Sequence, residues 1–299
     1  MMKGKLMATI IDGKAIAAEM QEEMKAEVAA LAAKGIVPGL AAVLVGDDPA
    51  SQTYVNSKEK DCGRVGIYSD VYRLPENTSE GDLLALVDSL NNNSKIHGIL
   101  VQLPLPKHID EGKVLLRIDP EKDVDGFHPV NVGRMVVGQP LFLPCTPHGC
   151  KVLLERSGVE TKGKHMVIVG RSNIVGKPLA NIMVQKEEHA NCIVTICHTA
   201  TDDIGYYTRQ ADILVAAVGR PETITGDMVK DGVVVIDVGV NRIDDPTRKS
   251  GKRLVGDVDF ASVEPKASAI TPVPGGVGPM TRTMLLYNTI RSAVRLGKG

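Results

Sequence analysis

Hydrophobic positions along the chain change between two spacings. After Asp12, Ile16, Met20, Met24, Val28 and Leu31 recur at helical intervals until Lys34-Gly35, which predicts a long amphipathic helix. The next apolar run, Leu40 to Val45, is continuous and short, as in a buried strand, and it ends at Gly46. Asp48 before Pro49 then reads as an N-cap followed by proline at the first helical position. A strand near 67–74, a helix near 80–91 and the strand Gly98 to Leu103 follow, the last closed by Pro104-Leu105-Pro106. Residues 119–149 break the rhythm with a long stretch rich in Pro, Gly and Asp, the mark of a functional loop or a domain junction.

From Thr146-Pro147 a helix to about Ser157 leads into a second series. It comprises the strand His165 to Val169, a glycine-bearing turn and helix, and strands at 192–197, 213–217 and 233–238. Thr271 to Pro279 is too rich in proline and glycine for the interior of a helix or strand, and a final helix is predicted from about Met280 to Leu296. Strand alternating with helix implies parallel α/β sheets, whose ligands sit at the carboxyl ends of the strands. The segments after 45 and after 101 are both such ends, which brings Gln102 near Lys58.

Composition narrows the classes. Lysine and arginine number 35 against 36 acids, so the net charge of -1 gives no reason to expect a nucleic-acid or membrane-surface partner. No apolar run approaches the roughly 18 residues of a membrane span, and Lys3, Lys5 and the short run from Leu6 to Ile11 do not make a leader segment. Five cysteines without a C-x-x-C pair suggest reduced, structural thiols in a cytoplasmic compartment. With no Trp and three Phe, the core is built from aliphatic residues, as suits helix-covered parallel sheets.

Two places carry candidate chemistry. Tyr54 and Lys58 are four residues apart on one helical face, and a surface Tyr with a solvated Lys is the ordinary meaning of that spacing. Beside Gln102 and a carboxylate from Asp123 or Asp125, however, Lys58 can form a proton-transfer site if burial lowers its pKa from about 10.4 toward neutrality. Asp123 is expected to brace its loop, and Asp125 to contact a polar ring. Their D-x-D-G string lacks the remaining ligands of a calcium loop, and the histidines show no metal-ligand spacing. The second place is Gly170-x-Ser172-x-x-x-Gly176, after a strand and before a helix, as in a dinucleotide-binding turn. The following strand ends Cys197-His198-Thr199 with no acid before Asp202, while Arg171 stands in the turn, so NADP is favoured over NAD. Short-chain dehydrogenases also use Tyr-x-x-x-Lys, but with the glycine turn first; here the order is reversed.

These segments, with Val101 to Pro106, Lys122 to Gly126, Pro144 to Pro147 and Thr271 to Thr281, resemble the bifunctional methylenetetrahydrofolate dehydrogenase/cyclohydrolase family. The match runs in order over essentially the whole chain, and its proline-glycine signature is the most specific part. The resemblance implies a homodimer of subunits with two α/β domains around a cleft: a parallel α/β folate domain at 1–149 and a Rossmann-type NADP domain at 150–279. It also implies that the helix 280–299 returns to the first domain. Lys58 is then the central catalytic residue, Gln102 orients it and tunes its pKa, Tyr54 lies against the folate, and Asp125 holds the pterin. Leu103, Pro274, Gly275 and Gly276 join the substrate site. On the cofactor side the resemblance implies Gly170, Arg171, Ser172, Ile174 and Gly176, with Arg171 and Ser172 at the 2′-phosphate and Val240 in a strand-end contact. Residues 185–191 are longer than is usual for the family, which leaves His198 or Thr199 in its cofactor-contacting position. The implied reactions are oxidation of methylene-tetrahydrofolate with NADP+ and hydrolysis of the methenyl product.

Overall fold

The computed structural model describes residues 8–248 and 251–297, so Lys3, Lys5 and Leu6 lie outside it. The first elements are β1 (Thr9–Ile10), α1 (Gly13–Ala32), β2 (Gly39–Val45), α2 (Pro49–Val65), β3 (Tyr68–Leu74), α3 (Glu80–Asn91) and β4 (Gly98–Val101). There follow α4 (Glu111–Arg117), α5 (Pro129–Val136), α6 (Cys145–Arg156), β5 (His165–Val169), α7 (Gly176–Met183), β6 (Ile193–Cys197), α8 (Ile204–Thr208) and β7 (Ile213–Ala216). The chain closes with β8 (Val234–Asp237), β9 (Asn241–Asp244), β10 (Lys252–Val255), α9 (Phe260–Val263), β11 (Ala269–Ile270) and α10 (Val277–Leu296). Two compact units result: Ala18–Cys145 with the chain from Arg282 onward, and the chain up to Ala17 with Thr146–Thr281.

The first of these holds a three-stranded parallel sheet in the order β3-β2-β4. Every residue of the central β2 is buried, which explains its uninterrupted apolar sequence. Val43 pairs with Val101, so β4 ends two residues short of the carboxyl end of β2, and Gln102 still donates its backbone N–H to Val43 O at 2.8 Å beyond the last β4 residue. Leu83, Val87 and Leu90 of α3 cover one face. Residues 282–296 of α10 belong to this unit and bury Met284, Leu285, Leu286, Ile290 and Ala293. The same helix serves loop backbone: Asn288 Nδ2 donates to Val124 O (2.8 Å) and Leu143 O (3.0 Å), and Ser292 Oγ to His97 O (2.6 Å).

The second unit is built on a six-stranded parallel sheet, β1-β11-β8-β7-β5-β6, with the antiparallel pair β9–β10 beside it in sequence. Chain order reverses at β5, which pairs with β6 on one side and β7 on the other. Such a switch point opens a crevice at the carboxyl end of the strands. Among the described residues no helix is long and apolar enough to cross a membrane.

Several expectations need correction. The N-terminal stretch does not belong with the three-stranded sheet, as a 1–149 domain requires; Thr9 and Ile10 pair with Ala269 and Ile270 in the six-stranded one. A two-residue strand with exposed side chains leaves no periodic signal. The 119–149 segment contains a full helix, α5, capped by His128 and begun by Pro129, so a proline read as a breaker is a first-turn residue. Likewise α10 starts three residues early, because Pro279 lies in a first turn where its missing N–H costs nothing.

Candidate functional site

Local chemistry sets Lys58 in place. The Asp48 side chain accepts from Ser51 N at 2.7 Å and starts α2, which shows Tyr54 and Lys58 on one face. Lys58 Nζ donates to Gln102 Oε1 at 3.0 Å. Gln102 Nε2 donates to Leu103 O at 2.7 Å, which fixes the amide so that its oxygen faces the amine. Tyr54 is 43 % exposed, its ring available to a ligand.

Asp125 reaches the same neighbourhood from the loop between α4 and α5. Asp123 braces that loop, accepting from Phe127 N (3.3 Å), His128 N (2.8 Å) and Asn131 Nδ2 (2.8 Å). Lys122 Nζ donates to the carbonyls of Leu90, Asn91 and Asn93 at 3.1, 2.7 and 2.9 Å. Gly126 has φ +78°, and a Cβ there would lie 2.8 Å from Pro144 N, so the turn that presents Asp125 requires glycine.

The surroundings of Lys58 are protein atoms on most sides although part of the residue stays accessible. Desolvation therefore pulls its pKa below the ordinary lysine value, the charge of Asp125 opposes this, and Arg282 adds to it. Burial pushes Asp125 up, while Lys58 and a hydrogen bond from the Cys145 thiol hold it back. The Cys145 thiol is itself driven well above its usual value, by burial first and then by Asp125. Amine, carboxylate and thiol thus form one coupled set in which the amine can exist neutral, still donate to Gln102, and accept a proton. Cys145 was legible only as a structural thiol, and Arg282 not at all, because nothing in sequence spacing brings 145 or 282 to 58.

In the other unit, Gly170 ends β5 at the switch point, with φ +137° and its N–H on Cys197 O. A Cβ on Gly176 would meet Gly170 O at 2.0 Å, so the turn folds tightly onto the first residue of α7. Ser172 Oγ accepts from Val175 N at 3.1 Å. Arg171 Nη1 lies 3.4 Å from His198 Nε2, joining the turn to the end of β6, where no carboxylate stands. Thr199 is exposed, as are Ile174 and Val240. The donor set suits a dinucleotide with an extra phosphate on its ribose. Sequence reading missed the support beneath it: Asp257 Oδ2 accepts from Val218 N (2.6 Å) and Gly219 N (2.8 Å), and Asp237 from Gly239 N, Asp257 N and Val258 N. Two buried acids in Asp-Val-Gly and Gly-Asp-Val-Asp strings were the available signal. Pro274, Gly275 and Gly276 also lie in this unit, where Gly275 O accepts from Lys14 N at 2.9 Å.

Comparison with known proteins identifies the family. Residues 11–125 match the model of the tetrahydrofolate dehydrogenase/cyclohydrolase catalytic domain, and residues 144–296 that of the NAD(P)-binding domain. The bifunctional protein FolD of Geotalea uraniireducens is 61% identical over 289 residues, covering 97% of this chain and 100% of the relative. A crystal structure of the FolD methylenetetrahydrofolate dehydrogenase/cyclohydrolase of Campylobacter jejuni is 51% identical with a TM-score of 0.91, covering 96% of this chain and 99% of its own. The corresponding Trypanosoma brucei enzyme, described in complex with NADP and an inhibitor, is 42% identical with a TM-score of 0.93, covering 98% of this chain and 100% of its own.

Proposed function

Since the chain belongs to the tetrahydrofolate dehydrogenase/cyclohydrolase family, we propose that Lys58, Gln102 and Asp125 form the proton-handling centre of its reactions. The protein is a bifunctional enzyme: it oxidises 5,10-methylenetetrahydrofolate to the 5,10-methenyl form with NADP+, and hydrolyses that form to 10-formyltetrahydrofolate. The observation that carries the assignment of Lys58 is its hydrogen bond to an amide whose orientation Leu103 O fixes, in a place that disfavours the ammonium.

NADP+, when bound, accepts the hydride from the methylene bridge. The cyclohydrolase half gains an oxygen from water and needs proton movement. As water adds to the methenyl carbon, neutral Lys58 takes one of its protons; when the C–N5 bond of the resulting carbinol breaks, the ammonium returns that proton to N5, and the carbinol O–H releases its own proton to solvent as the formyl C=O forms. Gln102 Oε1 keeps the amine aimed through both steps. Asp125 is the carboxylate for the polar edge of the pterin, Tyr54 supplies a ring for stacking, and Leu103 adds to the substrate contacts in this reading.

Arg171 and Ser172 are assigned to the 2′-phosphate, with Gly170, Gly176, Ile174 and Val240 along the nucleotide. His198, held against Arg171, is favoured over exposed Thr199 for the remaining contact. Arg171→Ala is expected to raise the KM for NADP+ about tenfold or more and to leave NAD+ use nearly unchanged, as loss of one charge-assisted phosphate contact implies. Steady-state dehydrogenase assays with both cofactors check this, and equal losses would reduce Arg171 to a shaper of the turn.

The homodimer reading is supported by β6. It is the outer strand of its sheet, free of charge and proline, with Ile193 63% and Ile196 37% exposed, and such an edge is ordinarily guarded or paired. Ile193→Lys is expected to give monomers in analytical ultracentrifugation; a persisting dimer would place the contact elsewhere. Five free, buried thiols accord with a reducing, cytoplasmic setting.

A further inference from the structure

Asp61 stands one turn beyond Lys58 on α2, so the two share a helical face. Its side chain is only 6% exposed, yet it is a carboxylate with charged partners: Arg282 Nε of α10 donates to Oδ2 at 2.7 Å, and Arg64 Nη1 lies 3.5 Å from Oδ1. Arg64 Nη1 in turn donates to Gln21 Oε1 of α1 at 2.7 Å, and Gln21 Nε2 to Thr283 Oγ1 at 3.1 Å. Three helices therefore meet on one buried acid. An unpartnered carboxylate one helical turn from an amine that must shed its proton is a hazard, because its negative charge would favour the ammonium.

We propose that Arg282 is a positioning residue for Lys58: it engages the Asp61 carboxylate and sets its own cation nearby, leaving the amine free for proton transfer. The proposal rests on the reading of Lys58 given above. The groups facing Lys58 are Cys62 from α2, Asp125 from the loop between α4 and α5, Cys145 at the start of α6 and Arg282 from α10. Asp125 favours the ammonium and Arg282 opposes it, while burial holds both thiols in their neutral form. Taking Arg282 away thus removes a like charge and releases an opposite one, and both changes push the amine toward protonation.

The test reads the Lys58 amine directly, by NMR titration of the full-length enzyme carrying 13C at lysine Cε, with the resonance identified by its loss in Lys58→Met. Arg282→Gln is expected to move the Lys58 midpoint to higher pH. Asp61→Asn, which leaves the Arg282 cation without its main counter-ion, is expected to move it to lower pH. The double variant should fall between the two. Cyclohydrolase activity of Arg282→Gln should then drop roughly three- to tenfold at pH 7 and recover as pH rises, whereas a purely structural role gives a loss independent of pH. Midpoints that stay put, or that move the same way in both single variants, overturn the proposal. If Arg282→Gln does not fold, the nearly isosteric Asp61→Asn decides alone, by the direction of its shift. Midpoints that move as expected while the rate profile does not follow leave the coupling standing and remove the proton-transfer reading of Lys58.

Discussion

Replacing Lys58 with methionine abolishes methenyl-tetrahydrofolate hydrolysis and leaves part of the dehydrogenase activity: that is the expected result with the largest effect. Methionine keeps most of the length and apolar stem, but it neither takes nor returns a proton. General acid–base catalysis contributes ~10²–10⁴-fold, and a loss of that size is expected here. Hydride transfer requires no proton at Lys58; it depends on holding the reacting carbon and the nicotinamide face to face. Some positioning survives with Gln102 and Asp125 in place, so the two activities should separate in one variant. The measurement follows the absorbance of synthetic methenyl-tetrahydrofolate, corrected for its uncatalysed hydrolysis, alongside NADPH formation at 340 nm. Wild-type hydrolysis by Lys58→Met would move the base to Tyr54 or Asp125. Because Lys58 is held below its ordinary pKa by burial, the wild-type cyclohydrolase rate should rise with pH as the neutral amine accumulates, and flatten above that depressed pKa.

Ending the chain after Thr281 is expected to unfold the unit of the three-stranded sheet and abolish both activities. Residues 282–296 bury Met284, Leu285, Leu286 and Ile290, each 0–1% exposed. At about 1.5–3 kcal/mol for each large apolar side chain, their loss is comparable to the ~5–15 kcal/mol that holds an ordinary domain together. Polar losses add to this, since Val124 O, Leu143 O and His97 O would lose the donors that Asn288 and Ser292 supply. Val124 precedes Asp125, so the loop that carries the carboxylate fails with the helix. Circular dichroism should show one of two melting transitions missing. A truncated protein with wild-type activities would refute this dependence. A milder form is Asn288→Ala, expected to cost about 1–3 kcal/mol by leaving buried carbonyls unpaired, read as a lowered melting temperature.

Much of this protein was legible in one dimension, for local reasons. The buried strand 39–45 announces itself because a parallel strand covered on both faces cannot carry polar residues. The start of α2 follows from an aspartate and a proline whose preferences are set within three residues. The turn after β5 demands glycine, because a Cβ at Gly176 would come within 2.0 Å of the carbonyl oxygen six residues earlier. Even the meeting of Gln102 with Lys58 followed from sequence, because the parallel sheet places strand ends side by side. What the tertiary structure alone decided is long-range. The pairing of Thr9 with Ala269 spans almost the whole chain and rests on backbone hydrogen bonds, which any residue can make and none advertises. The charges that act on Lys58 come from Asp125 and Arg282, brought near by a loop 67 residues on and by the start of the last helix. A pKa depends on distance and on excluded water, and neither quantity exists until the chain has folded.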